Sequence, residues 1–121
     1  MGTNARVLVI DDDRMVRQYM QTVLQRNDFE VMAPPTAAEA LSVIDQPGSK
    51  IDAVVSDVDM PGMDGFTFAR AVMSRFPKMP ILIVSGTYPE YAGASRIAFL
   101  QKPFGPADLT RAVGGLLTPS R

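Results

Sequence analysis

The amino-acid sequence predicts an α/β fold in which a parallel sheet is covered by helices on both faces. Five short apolar runs alternate with segments of helical periodicity, and such alternation is typical of parallel sheets with helical crossovers. The runs show little polar alternation, as in strands buried on both faces. At 121 residues the chain has the length of one domain. We therefore expect residues 1–121 to form a single three-layer α/β/α domain.

The first two strand–helix units are well marked. Arg6–Ile10 is a continuous apolar run that ends at three acidic residues. A helix should follow with Asp13 as its N-cap. Phe29–Ala33 should form the second strand, and Thr36 and Glu39 form a capping box that opens the second helix. The apolar stripe of the first helix recurs at intervals of three and four residues: Met15, Val16, Tyr19, Met20, Val23 and Leu24.

The remaining units continue the alternation. Ile51–Ser56 should be the third strand, and Asp57 stands where it gives way to a loop rich in proline and glycine. Asp64 is placed to cap the third helix. Ile81–Val84 and Ile97–Leu100 should be the fourth and fifth strands, and a last helix follows. The predicted inward face of the third helix is Phe66, Ala69, Val72, Met73 and Phe76.

The composition excludes several classes of function. The sequence has no cysteine and no histidine, which excludes thiol and histidine nucleophiles and histidine-ligated zinc. The formal net charge of −1 provides no field that would recruit nucleic acid, and no apolar run approaches the roughly 18 residues of a membrane span. The acids Asp11–Asp13 interrupt the only early apolar segment, so we expect no secretory leader. We expect a cytoplasmic protein without direct nucleic-acid or membrane contact.

Polar side chains stand at the ends of four predicted strands. The first strand leads to Asp11 and Asp12, the third to Asp57, the fourth to Ser85 and the fifth to Lys102. The carboxyl ends of parallel strands share one edge of a sheet, so these side chains should meet. Crowded carboxylates repel one another unless they are protonated or bind a cation. Oxygen ligands without histidine or cysteine favour Mg²⁺ or Mn²⁺.

These residues could perform phosphoryl transfer. Asp57 would be the nucleophile, and a divalent ion held by Asp12 and Asp57 would neutralise the phosphoryl group. Lys102 and Ser85 would contact the phosphoryl oxygens. Because the chain has no histidine, a phosphohistidine donor would have to lie on another domain or protein.

The motifs at the strand ends resemble those of response-regulator receiver domains, the chemotaxis-regulator-like family. The resemblance covers nearly the whole chain and implies a flavodoxin-like sheet with strand order 2-1-3-4-5. It also implies a cis peptide bond between Lys102 and Pro103. Four motifs in this order carry the resemblance: Val-Ile-Asp11-Asp12-Asp13, Asp57-Val-Asp-Met-Pro61-Gly-Met-Asp-Gly65, Ser85-Gly86 and Lys102-Pro103-Phe104.

The resemblance implies roles for individual residues. Asp57 would be the phosphoacceptor, Asp11 and Asp12 the acid pair, and Mg²⁺ the cofactor. The metal ligands would be Asp12, Asp57 and the backbone carbonyl of Asp59. The remaining roles are phosphate binding by Ser85, Gly86 and Lys102, and switching by Ser85 and Phe99.

The resemblance also implies partners and one departure from the family pattern. A sensor histidine kinase or a histidine phosphotransfer protein would donate the phosphoryl group, and an unknown effector protein would read the result. The ending Ala98–Phe104 resembles receivers fused to hybrid histidine kinases. Only 16 residues lie between Ser85 and Lys102, fewer than is usual in the family, so we expect the fourth helix to be short or irregular.

Two alternatives stay open from the sequence. A pseudo-receiver would act by constitutive protein binding without phosphorylation. Asp57-Val-Asp59 also matches the DxD motif of haloacid-dehalogenase-like phosphatases, but there the motif follows the first strand.

Overall fold

A computed structural model describes residues 4–58, 63–86 and 97–117. Five parallel strands form one sheet in the order β2-β1-β3-β4-β5, which confirms the predicted fold class and strand order. The strands are β1 (Arg6–Ile10), β2 (Glu30–Met32), β3 (Ala53–Asp57), β4 (Ile81–Ser85) and β5 (Ala98–Gln101). The helices of the described ranges are α1 (Arg14–Gln25), α2 (Ala37–Asp45), α3 (Gly65–Arg75) and α4 (Pro106–Leu117).

The core consists of two hydrophobic clusters, one on each face of the sheet. Helices α1 and α4 pack on one face, and α2 and α3 pack on the other. Successive strand residues alternate between the clusters, as the two-residue period of a strand requires: Val7 and Val9 face α1, whereas Leu8 and Ile10 face α2 and α3. Residues at the carboxyl edge of the sheet are therefore attached to strands that are packed on both faces.

The predicted helix caps are confirmed. The Asp13 carboxylate accepts a hydrogen bond from the N–H of Met15 at 2.9 Å, and the Thr36 hydroxyl accepts one from Glu39 at 3.1 Å. At the start of α3, Asp64 Oδ1 accepts from the N–H of Thr67 at 2.8 Å. Each cap satisfies a backbone donor that the first turn of a helix leaves without an intrahelical partner.

Replacing Asp64 should destabilise the protein in a pH-dependent way. The hydrogen bond from Thr67 holds the pKa of the Asp64 carboxyl below its ordinary value. Its contribution is therefore present above the ordinary pKa of about 3.9 and is lost as the pH falls through the lowered folded-state value. We expect Asp64→Ala to lower the free energy of unfolding by about 1 kcal/mol at pH 7 in urea denaturation. Asp64→Asn keeps the cap without its charge and should lose less.

The pH series separates the charge from the hydrogen bond. The small advantage of wild type over Asp64→Asn, about 0.5 kcal/mol for a charge at a helix N-terminus, should be lost as the pH falls through the lowered folded-state pKa of Asp64. An advantage that does not decrease as the pH falls would contradict the prediction.

Two apolar stripes differ from prediction: Tyr19, in the middle of the α1 stripe, is 38% exposed, and one end of each stripe is exposed as well. Met15 is 78% exposed, because the packed stripe of α1 begins only at Val16. Phe76, predicted to face inward, is 39% exposed; it is the C-cap of α3, and its non-helical backbone leaves the helical period. Phe68 is buried in its place.

The third strand also begins later than predicted, at Ala53 instead of Ile51. The reason is a local pairing of Asp52 with Arg6: the Asp52 N–H donates to the Arg6 carbonyl at 2.7 Å, and the Asp52 carboxylate accepts from the Arg6 N–H at 2.8 Å. The Asp52 carboxylate thus accepts the Arg6 hydrogen bond that a backbone carbonyl would accept in a regular β-ladder. The short helix expected between β4 and β5 lies outside the described residues.

None of the four helices described is both long and apolar enough to cross a lipid bilayer.

Candidate functional site

The strand ends bring four of the predicted site residues to one edge of the sheet. Asp11 directly follows β1, and Asp57 is the last residue of the neighbouring strand β3. Ser85 ends β4, and Lys102 directly follows β5. The edge is therefore assembled from elements that are distant in sequence but adjacent in the sheet.

Lys102 links two of the carboxylates. Its Nζ lies 3.0 Å from Asp57 Oδ1 and 3.4 Å from Asp11 Oδ2. Its backbone N–H donates to the carbonyl of Ser85 at 2.7 Å, and the Lys102–Pro103 peptide bond is cis, the isomer that the resemblance implies. The lysine thus reaches across the ends of three strands to hold the acidic residues together.

Burial shapes the electrostatics of the site. Asp11 is fully buried and Asp57 is 6% exposed. Burial raises the pKa of both carboxyls above the ordinary value, against the opposing effect of Lys102. For Lys102, burial alone would lower the pKa, but the hydrogen bond to Asp57 and the charges of Asp11 and Asp57 outweigh it, so its pKa is raised. The lysine therefore remains a cation, and its charge offsets only one of the carboxylates.

The acidic cluster can accommodate a divalent cation. One carboxylate oxygen from each of Asp11, Asp12 and Asp57 lies within 4.8 Å of the others. An all-oxygen donor set suits hard cations, and Asp12 opens the cluster to solvent. Asp11 already accepts from the N–H of Asp13 at 2.9 Å through one oxygen and from Lys102 through the other. Asp12 and Asp57 are therefore better placed to be direct ligands.

A close backbone contact joins the start of α3 to the backbone at Asp57 and Val58. The N–H of Gly65, the first residue of α3, donates to the Val58 carbonyl at 2.8 Å. A Cβ atom on Gly65 would collide with the Asp57 carbonyl oxygen and would lie 2.9 Å from Val58 Cα. The sequence indicated Gly65 only as a loop residue, and the glycine instead lets α3 approach the end of β3.

Of the remaining predicted residues, the structure places Gly86 directly after β4 and Phe99 within β5. Ser85 is buried, whereas Gly86 is exposed and its carbonyl accepts from the Gln101 side chain at 3.5 Å. Phe99 is half-buried on β5, with its ring centroid 5.9 Å from that of Phe66 in the first turn of α3. Asp59, the predicted carbonyl ligand, lies outside the described residues.

Sequence reasoning missed one contact of the acidic loop, the segment Asp11–Asp13 between β1 and α1. Arg17 Nη1 donates to the backbone carbonyl of Asp11 at 2.9 Å. The sequence indicates this contact only weakly, by a cationic residue in the second turn of the helix that follows the acidic loop. The contact becomes visible only when the helix and the strand end are placed together.

Fold and site together define a flavodoxin-like α/β protein with a lysine-bridged acidic cluster at the carboxyl edge of its sheet. The family model described as "Response regulator receiver domain" matches residues 7–114. The chain belongs to this receiver-domain family of two-component signalling, which confirms the resemblance carried by its motifs.

Individual relatives agree with this assignment. The chain is 35% identical to the sensor kinase CckA of Brucella abortus over 123 aligned positions, covering 97% of the chain and 13% of the kinase. It matches the chemotaxis response regulator CheY4 of Vibrio cholerae with a TM-score of 0.84 and 33% identity, covering 95% of the chain and 100% of CheY4.

A third match is the receiver domain of the hybrid histidine kinase CckA, with a TM-score of 0.81 and 28% identity, covering 94% of this chain and all of that domain. Several curated relatives are much longer proteins, of which the chain spans only 13% to 18%.

Proposed function

We propose that this chain is a phosphoacceptor domain in which Asp57 receives a phosphoryl group from a partner's phosphohistidine and thereby switches a protein-binding surface. The observation that carries the proposal is the 3.0 Å contact of Lys102 with Asp57 inside a cluster of three carboxylates. A nucleophilic carboxylate, a fixed cation and a place for a divalent ion are the components that aspartyl phosphate formation needs.

The transfer is a displacement at phosphorus. A carboxylate oxygen of Asp57 forms a bond to phosphorus while the bond from phosphorus to the histidine nitrogen breaks, and that nitrogen keeps the electron pair. Asp57 must be ionised to attack, and Lys102 favours the ionised form against the effect of burial. Lys102, together with Ser85 and Gly86, would then contact the phosphoryl oxygens.

We propose Mg²⁺ as the cofactor, with Mn²⁺ as a substitute. Asp12, Asp57 and the backbone carbonyl of Asp59 would hold the ion, while Asp11 orients Lys102 and completes the acid pair. A bound Mg²⁺ would neutralise negative charge on the phosphoryl group and on the cluster. The all-oxygen donor set and the hydrogen bonds that already occupy Asp11 support this assignment.

The switch would use Ser85 and Phe99. Ser85 would move toward the phosphoryl group, and Phe99 would respond on the adjacent strand. The register of the sheet supports this proposal, since Phe99 pairs with Ile83, two residues before Ser85. Phe99 also contacts Phe66 near the start of α3, which Gly65 joins to the end of β3.

The proposed donor is a sensor histidine kinase or a histidine phosphotransfer protein, and the proposed reader is an effector protein. Receiver domains of two-component systems interact with kinases and effectors, and the likeness to the CckA receiver supports a donor of this class. We propose a signalling module located in the cytoplasm, and not an enzyme that turns over a substrate.

Phosphorylation by a small phosphodonor tests the proposal. Phosphoramidate carries the same phosphorus–nitrogen bond as phosphohistidine. With Mg²⁺, intact-mass spectrometry should show one phosphoryl adduct on the wild-type chain, and with EDTA it should show none, because the cluster then lacks its counter-charge.

Two outcomes would contradict the proposal. A wild-type chain that takes up no phosphoryl group with Mg²⁺ would indicate a pseudo-receiver. Rapid release of many phosphate equivalents per chain would indicate a phosphatase.

A further inference from the structure

Arg17 contacts the acidic loop at its backbone. The side chain is half-buried in the second turn of α1, and its Nη1 donates to the Asp11 carbonyl at 2.9 Å. This carbonyl belongs to the peptide group that joins Asp11 to Asp12. Pairing of β1 with β3 ends one residue earlier, at Ile10 and Ser56, so the peptide lies beyond the regular ladder.

The neighbours of Asp12 are held tightly, whereas Asp12 itself is exposed. Both carboxylate oxygens of Asp11 accept hydrogen bonds, one from the Asp13 N–H and the other from Lys102. The Asp13 side chain caps α1 through the N–H groups of Met15 and Val16. The direction in which the Asp12 side chain points from the backbone therefore depends on the orientation of the peptide groups on either side of it.

We propose that Arg17 is a positioning residue for the divalent cation: by fixing the peptide between Asp11 and Asp12, it presents the Asp12 carboxylate to the ion. The inference rests on the cation site of the proposed function and extends it to a residue outside the acidic cluster. Groups that orient a metal ligand typically change metal affinity by about 10- to 100-fold when they are removed.

Charge alone predicts the opposite effect. Arg17 is a cation near the acidic cluster. By Coulomb's law, removing its positive charge should strengthen the binding of Mg²⁺ to the cluster. Positioning predicts weaker Mg²⁺ binding by the Arg17 variants, and charge predicts tighter binding. The direction of the change therefore distinguishes the two effects.

The test is isothermal titration of the whole chain with Mg²⁺ alone. Arg17→Met should bind Mg²⁺ about tenfold more weakly than wild type. Arg17→Lys should recover part of the loss, because its ammonium can donate to the same carbonyl. Arg14→Met is the matched control: it removes the same charge from the exposed first residue of α1 and should bind Mg²⁺ as wild type does, or slightly more tightly.

A kinetic measurement adds a readout that loss of stability would not reproduce. Phosphorylation of Arg17→Met by phosphoramidate should be slow at low Mg²⁺ and should approach the wild-type rate at saturating Mg²⁺. The half-saturating Mg²⁺ concentration should rise, and the maximal rate should not change.

Several results would overturn the inference. These are Mg²⁺ affinity of Arg17→Met within about twofold of wild type, equal weakening in Arg14→Met, or a rate deficit that persists at saturating Mg²⁺. Should circular dichroism show Arg17→Met unfolded, Arg17→Gln gives the same comparison, because its amide is two bonds too short to reach the carbonyl.

The calorimetry uses no phosphodonor, so its outcome does not depend on phosphorylation. A wild-type chain that binds Mg²⁺ but takes no phosphoryl group would refute the proposed function alone. A wild-type chain that binds no Mg²⁺ would refute both proposals.

Discussion

Asp57→Asn should abolish the phosphoryl adduct completely. The substitution removes the nucleophilic carboxylate and keeps the size of a side chain that is almost fully buried. An amide cannot form the acyl phosphate, and in the part of the chain that the structure describes the Lys102 Nζ lies closer to Asp57 than to Asp11, the other carboxylate that it contacts. Intact-mass spectrometry after incubation with phosphoramidate and Mg²⁺ measures the loss directly.

Asp64→Asn is the matched control. It makes the same chemical change seven positions along the chain, at an exposed residue that caps α3 and lies outside the acidic cluster. This variant should keep the adduct. An adduct of wild-type yield on Asp57→Asn would refute Asp57 as the acceptor, and mapping the modified peptide would then identify the true site.

Asp57→Asn should also reduce the stabilisation that bound Mg²⁺ gives to the folded protein. At a concentration one hundred times its dissociation constant, a ligand that binds only the folded state stabilises it by about 2.7 kcal/mol. If Asp57→Asn weakens Mg²⁺ tenfold, the same concentration stabilises that variant by only about 1.4 kcal/mol. Thermal unfolding with and without Mg²⁺ measures the difference, and equal shifts for both proteins would argue against Asp57 as a ligand.

The meeting of Asp57 with Lys102 could be predicted from the sequence because it depends on topology. Apolar runs located the strands, and a parallel sheet places all their carboxyl ends at one edge. The separation of 45 positions between these two residues along the chain therefore did not obscure the contact. The helix caps at Asp13 and Asp64 were equally predictable, since a cap is a local arrangement of a side chain and the next few backbone N–H groups.

Contacts that depend on how elements pack could not be predicted in this way. Phe66 and Phe68 both lie near the apolar side of α3, and the angle of the helix on the sheet decides that Phe68 is the fully buried one. Arg17 reaches the Asp11 carbonyl only because α1 packs beside the end of β1. The separation of Gly65 from the Asp57 backbone likewise depends on the distance between α3 and β3.

Gly65→Ala should cause a large loss of stability and displace the phosphoacceptor. The added Cβ would collide with the Asp57 carbonyl oxygen and come within 3.0 Å of the Asp57 carbonyl carbon. These are backbone atoms of β3, which is paired on both sides, so they cannot rotate away as a flexible side chain would. We expect the free energy of unfolding to fall by about 3 kcal/mol, the upper range for overpacking, measured by urea denaturation.

The second consequence of Gly65→Ala concerns the site. Relief of the collision requires movement of the end of β3 or the start of α3, and either movement shifts Asp57 relative to Lys102. Phosphorylation by phosphoramidate should therefore slow even at saturating Mg²⁺, unlike the expected behaviour of Arg17→Met. This difference distinguishes displacement of the acceptor from misorientation of a metal ligand.

Gly115→Ala provides the matched control for this substitution. Gly115 lies in α4, where an added Cβ would meet no atom within 4 Å. Alanine is the better helix former, so this variant should be more stable than wild type by up to about 1 kcal/mol and should be phosphorylated at the wild-type rate. If Gly65→Ala unfolded at the same urea concentration as wild type and accepted phosphate equally fast, the close backbone contact would not be what positions Asp57.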